Sequence, residues 1–129
     1  MPRLTWLFVL VFLIATEKRV VAQAQVVFPF TNATGAAMLT SCGDTAPGLD
    51  QIGCLSFLQG FITGFTAGVD LEAGATKQKP LRLFCLPEGN SLGQNMLVVM
   101  KWLKDHPERL HEDARIAIVL ALENAFSCK

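Results

Sequence analysis

Four cysteines, Cys42, Cys54, Cys85 and Cys128, constrain the fold of this chain more than any other feature. All of them follow an N-terminal stretch with the marks of an export signal. Arg3 gives a positive start, residues 4–15 (LTWLFVLVFLIA) form an apolar core, and Ala22-Gln23-Ala24 has the small-x-small pattern of a cleavage site. The apolar core is shorter than the ~20 residues that a bilayer-spanning helix needs. Glu17, Lys18 and Arg19 lengthen the stretch before the cleavage site, which leaves an uncleaved membrane anchor as the alternative. The expected organisation is a signal peptide over residues 1–24, cleaved after Ala24, and one exported domain over residues 25–129.

An even number of cysteines in a small exported domain points to disulfides, because a chain of this size buries only a modest core. Zinc is the rival reading. It asks for Cys-x-x-Cys or histidine-rich spacing, and no such pair exists here. The only histidines, His106 and His111, stand five apart and do not share a helical face. No metal and no cofactor is expected. The whole chain is neutral, with 11 basic and 11 acidic residues. Loss of Arg3, Glu17, Lys18 and Arg19 with the signal leaves the exported part 8 basic and 10 acidic residues. A mildly acidic domain is a poor binder of nucleic acid.

The apolar periodicity of the main segments is helical. Residues 25–30 read as an extended lead-in around Pro29, and Thr31 or Asn32 would cap a first helix ending near Cys42. Residues 43–48 are turn-rich. Asp50 is the expected N-cap of a second helix from residue 51 to about residue 72, with Leu55, Leu58, Phe61, Ile62, Phe65 and Val69 on its apolar positions. A polar loop over 74–80 leads into a short apolar segment over 81–86, which Pro87 ends. Ser91 with Gln94 fits a capping box for a third helix from Leu92 to about Lys104. Met96, Leu97, Val99, Met100 and Leu103 form its expected buried side. Pro107 suits the first turn of a fourth helix, and Glu108 its positive end. Leu110, Ala114, Ala117, Ile118, Ala121, Leu122 and Ala125 form its apolar face. The expected fold is all-α: a small, disulfide-stabilised bundle of four main helices, antiparallel across short connections.

That topology favours one disulfide pairing. Cys42 would end the first helix and Cys54 begin the second, while Cys85 precedes the third helix and Cys128 follows the fourth. Two antiparallel hairpins would then bring together Cys42–Cys54 and Cys85–Cys128. Loop closure gives ~3 kcal/mol for the shorter loop and ~4 kcal/mol for the longer. The other two connectivities stay open at this level.

Within the second helix, GFITGFTAG places Gly60, Gly64 and Gly68 every fourth residue, although each glycine costs a helix ~1 kcal/mol relative to alanine. Close packing of a second helix, from the same chain or another, is the expected reason. A hinge is the alternative. A membrane dimer motif needs a long apolar helix, and Gln59 interrupts this run while Asp70 closes it.

No catalytic constellation stands out. A cysteine nucleophile needs a free thiol, which paired cysteines do not offer. Glu112 and Asp113 are adjacent, so they diverge on a helix and read as a solvated face. Neither a phosphate-binding loop nor a serine-nucleophile elbow is present. The chain is not expected to be an enzyme. Asp70, Glu72, Lys77, Gln78, Lys79 and Arg82 cluster around the longest polar loop, and loops carry recognition more often than cores do. With Glu88 and Asn90 as neighbours, they are the candidate partner-binding residues.

Two stretches carry a resemblance. They are GCLSFLQGFITGF (residues 53–65) and CLPEGNSLGQNMLVVMKWLKDHPERLHEDARIAIVLALENAFSC (residues 85–128). Together they resemble the Rap/Tai family of immunity proteins associated with type VI secretion. The matching positions are Cys54, Gly60, Gly64, Cys85, Pro87, Gly89, Gly93 and Gln94. They continue with His106, Pro107, Glu108, His111, Phe126 and Cys128. Where the family has a tyrosine after its first cysteine, this tyrosine-free chain has Phe57 and Phe61. The resemblance implies a small helical periplasmic protein, in some members a homodimer. It implies binding to a bacterial effector, a cell-wall amidase, whose active-site cleft the immunity protein occludes without chemistry of its own. The alternatives are a small helical acid-stress chaperone of the periplasm or an orphan scaffold protein.

Overall fold

The computed structural model describes residues 33–128 apart from Thr45 and Pro47. The signal peptide, its cleavage site, the extended lead-in and the Thr31/Asn32 cap lie outside the described residues. Four helices are described: α1 (Gly35–Cys42), α2 (Gly48–Thr76), α3 (Leu92–Asp105) and α4 (Ala114–Ala125), with a 3-10 turn at Pro107–Arg109. The all-α bundle expected from periodicity is the fold observed.

The first helix is capped by Thr34, whose hydroxyl accepts from the Ala37 N–H at 3.2 Å. Its start is stitched to the chain that precedes α4. Gly35 N–H donates to the Glu112 carbonyl, Ala36 N–H to Leu110, and Ala114 N–H to Ala33, at 2.8–2.9 Å. Gly35 is buried at this seam.

The second helix runs 29 residues, about three residues beyond the expected start and four beyond the expected end. Asp50 therefore sits inside the first turn, where its charge favours the positive helix end, and is not the cap. At the other end Thr76 folds its hydroxyl back onto the Glu72 carbonyl, and Lys77 takes a φ of 56° that stops the helix. By length and composition α2 could cross a membrane, with 17% of its most apolar window buried. The expectation that Gln59 and Asp70 leave too short a run is therefore not met. Gln59 satisfies its amide along the helix by donating to Thr63. Only Cys54, Leu58 and Ile62 of α2 are buried, so its second half projects from the domain.

The capping box of α3 forms in full: Ser91 accepts from the Gln94 N–H, and Gln94 accepts from the Ser91 N–H. Asn95, Met96, Val99, Met100, Trp102 and Leu103 are its buried residues. Leu97, expected among them, is 67% exposed. One residue advances a helix by ~100°, so a leucine next to Met96 points away from the 96–99–100–103 stripe.

The fourth helix does not begin at Pro107. Pro107 opens the 3-10 turn, Leu110 to Asp113 stay non-helical, and α4 starts at Ala114 with Asp113 as its cap. The reason is the seam with α1. The carbonyls of Leu110 and Glu112 accept from Ala36 and Gly35 and so serve α1 rather than a helical ladder. Leu110 thus packs from a loop, and Ala125 is exposed at the end of α4. Glu112 and Asp113 are not merely a solvated face. Glu112 pairs with Arg109, and Asp113 accepts from the Arg115 N–H.

The core lies where α3 and α4 form a hairpin with α1 and the first half of α2 across it. Leu58, Val99, Leu103, Ile118 and Leu122 are wholly buried there. Disulfides join Cys42 to Cys54 and Cys85 to Cys128, with Cα separations of 5.6 and 5.0 Å. They fit an oxidising compartment. The described cysteines leave no free thiol.

Candidate partner-binding surface

The projecting half of α2 is backed by the chain that returns from it. Residues 77–80 form the tip, and the Gln78 N–H donates back to the Ala73 carbonyl at 3.0 Å. Arg82 then meets Asp70 at 2.6 Å, and Phe84 stacks on Phe65 with ring centroids 5.6 Å apart. Phe84 is buried. One exposed ion pair and one aromatic stack thereby hold a return segment along a helix whose own face is open. Glu72, Lys77, Gln78 and Lys79 are exposed around this tip, together with Leu71 (74%) and Leu81 (79%). Six of the sequence-derived residues thus share one projection.

Glu88 and Asn90 are not joined to it by any hydrogen bond or ion pair among the described residues. They belong to the turn before α3, where Gly89 has a φ of 77° and the Asn90 N–H donates to the Pro87 carbonyl. Glu88 is exposed, whereas the Asn90 amide donates to the carboxamide oxygen of buried Asn95. Asn90 braces the turn and has less to offer a partner.

The residues that carry the resemblance have scaffold roles. Gln94 completes a cap and Gly93 lies in the first turn of α3. The His106 ring stacks on Trp102, with centroids 4.3 Å apart, and its Nδ1–H donates to the Trp102 carbonyl at 2.8 Å. That carbonyl can only accept, so Nδ1 carries the hydrogen. Arg109 lies over the same indole at 5.6 Å while forking onto Glu112. Pro107 and Glu108 form the 3-10 turn, and His111 is exposed beyond it. The shifted acids of this region follow their partners. Arg109 lowers the Glu112 carboxyl, Lys101 lowers Asp105, and the Arg115 guanidinium holds Asp113 at about 2.

Gly60, Gly64 and Gly68 are exposed, and apart from the adjoining residues and backbone of α2 itself no described atom lies within 4 Å of a β-carbon built on any of them. Among the described residues nothing makes the close approach expected of this stripe, which leaves packing by another chain as the form of that expectation still open. Sequence reasoning also missed a groove on the opposite flank, walled by α1, α2 and α3, with Leu97 on its edge. The available signal was the one-residue offset between Met96 and Leu97.

The family model of the Rap1a immunity proteins matches residues 34–128. The chain belongs to that family. The matched span takes in all four helices and both disulfides of this family member. Comparison with curated proteins and with solved structures gave no match.

Proposed function

We propose that this immunity-family protein works in the periplasm, where it binds a peptidoglycan amidase delivered by type VI secretion and occludes its active-site cleft. The observation that carries the reading is the family match across residues 34–128. The projecting tip supports it. A stiffly backed element with exposed Leu71 and Leu81 among Lys77, Lys79 and Glu72 has the mix of apolar anchor and polar rim that protein interfaces use. Occlusion needs no catalytic group, so the protein acts as a binder and not as an enzyme. An N-terminal signal cleaved after Ala24 would deliver it.

A homodimer fits the same protein. Along the exposed stripe of α2, Leu49, Ile52, Ser56, Gly60, Gly64, Gly68 and Leu71 follow each other at helical spacing. An antiparallel pair with its two-fold axis at Gly60 sets Ile52 opposite Gly68 and Ser56 opposite Gly64 of the other copy. Such a contact is self-complementary, as a two-fold interface must be.

The test is a pull-down with the oxidised mature chain against periplasmic and secreted extracts at neutral and acid pH, followed by inhibition assays on purified binders. One stoichiometric cell-wall amidase, inhibited at neutral pH, is the expected result. A crowd of unrelated clients captured only in acid would replace the immunity reading with a chaperone.

A further inference from the structure

The chain enters the described fold at the edge of an apolar recess. Ala33, the first described residue, lines it together with Ala37, Met38, Phe57 and Ala114. Three of these are alanines, whose side chains end at the β-carbon, so the space beside the Phe57 ring is hollow rather than packed. Among the described residues that line it, only Ser41 carries a polar side chain.

Ala33 is pinned at the rim. Its carbonyl accepts from the Ala114 N–H at 2.8 Å, and Thr34 beside it bridges Asp113. Thr34 caps α1, so Ala33 and Met38 hold the N′ and N4 places of a hydrophobic staple, the pair that sets the angle at which a chain enters a helix.

The sequence that arrives there is Val26-Val27-Phe28-Pro29-Phe30, which lies outside the described residues. Pro29 fixes its own φ and biases Phe28 toward extended backbone. Alternate side chains of an extended segment share a face, which groups Phe28 with Phe30 and sets Val27 on the other side. Phe30 precedes Ala33 by three residues, a reach of ~10 Å. With the signal cut after Ala24, these five apolar residues stand almost at the new N-terminus, where exposure to water is unfavourable.

We propose that the recess is the docking site of the protein's own N-terminal arm, with the Phe30 ring seated among Ala37, Met38 and Phe57 and Phe28 covering the rim. The occupant is the arm of the same copy. Its short tether to Ala33 gives Phe30 an effective concentration on the order of mM at the recess, an advantage that the arm of a second copy lacks.

The test uses the oxidised mature chain labelled at its methionine methyl groups. Phe30→Leu keeps apolar bulk but removes the aromatic ring current, so the Met38 signal should move while those of Met96 and Met100 stay. Phe30→Ala should lower Tm by ~5 °C or more. Val27→Ala, on the other side of the arm, should change neither readout. Ala37→Leu fills the recess from within and should expel the arm, so that Phe30→Ala lowers Tm less in that background. An undiminished loss there overturns the proposal. A Met38 signal indifferent to Phe30→Leu also overturns it, whether or not the alanine variant folds. A response that grows with chain concentration, alongside a rise in sedimenting mass, gives the recess to the arm of another copy and overturns it as well.

Discussion

Gly35 and Leu103 meet so closely that a β-carbon on Gly35 would come within 2.8 Å of Leu103 Cδ2 and 3.3 Å of the Leu110 backbone. Leu103 is wholly buried and cannot swing into solvent. Gly35→Ala should therefore destabilise the protein by ~1–2 kcal/mol despite alanine's better helix propensity. For a domain of this size each kcal/mol lowers Tm by ~4–8 °C. Thermal unfolding of the two proteins checks it, and an equal or higher Tm for the alanine variant would show that the seam relaxes freely.

The glycines of α2 should behave in the opposite way. With open space around Gly64, Gly64→Ala should stabilise the monomer by ~0.5–1 kcal/mol. Gly60→Leu places bulk on the proposed two-fold axis. It should shift sedimentation from dimer to monomer without lowering helical content. A dimer that survives this substitution uses another surface.

Asp113 links stability to acid. Its carboxyl is held at about 2, below the ordinary value of 3.8, first by the Arg115 side chain and further by the Arg115 N–H. A depressed folded-state value gives stability that is present above the unfolded value and is lost as pH falls from about 4 toward 2. The pair is partly exposed, so the charge contribution should stay below ~1 kcal/mol. Asp113→Asn keeps a capping oxygen and should flatten this acid slope. Asp113→Ala should cost a further ~1 kcal/mol at neutral pH through the lost cap. Urea midpoints between pH 2 and 7 separate the two effects.

Reduction should be severe. The loop-closure terms, ~3 kcal/mol for Cys42–Cys54 and ~4 kcal/mol for Cys85–Cys128, together rival the whole stability of a small domain. Replacing Cys85 and Cys128 by serine should lower the denaturant midpoint more than replacing Cys42 and Cys54. The reverse order would mean that strain or residual unfolded-state structure outweighs loop length.

At the α2 tip, Asp70, Lys79 and Arg82 changed together to alanine should leave stability within ~1 kcal/mol, because exposed ion pairs contribute little. The same triple variant should lose most of its affinity for the proposed amidase partner. Full retention of binding would remove the tip from the interface.

Local chemistry made part of this fold legible. Ser91 with Gln94 announced α3 to the residue, and the chain positions of the cysteines suited two antiparallel hairpins, the pairing observed. What stayed hidden depends on partners distant in sequence. Pro107 reads as a helix start because nothing near it reveals that Leu110 and Glu112 will serve α1. Leu97 reads as core because it stands among core residues. The open glycine face was legible as a pattern, but only three-dimensional placement shows that the described residues leave it uncovered. The tip residues fell together because loop and helix end are neighbours in sequence, whereas Asn90 looked like surface until its amide was seen turned to Asn95.

The seam between the start of α1 and the chain before α4 also sets an order in time. The backbone groups that hold Gly35 and Ala36 belong to Glu112 and Leu110, and Ala33 receives Ala114. The earliest described helix to be synthesised must therefore wait for nearly the last to arrive, a non-local closure of the kind that slows folding. Until then the apolar face around Met38 has no lasting home, and the unfinished chain is most exposed to capture by proteases or by its own copies.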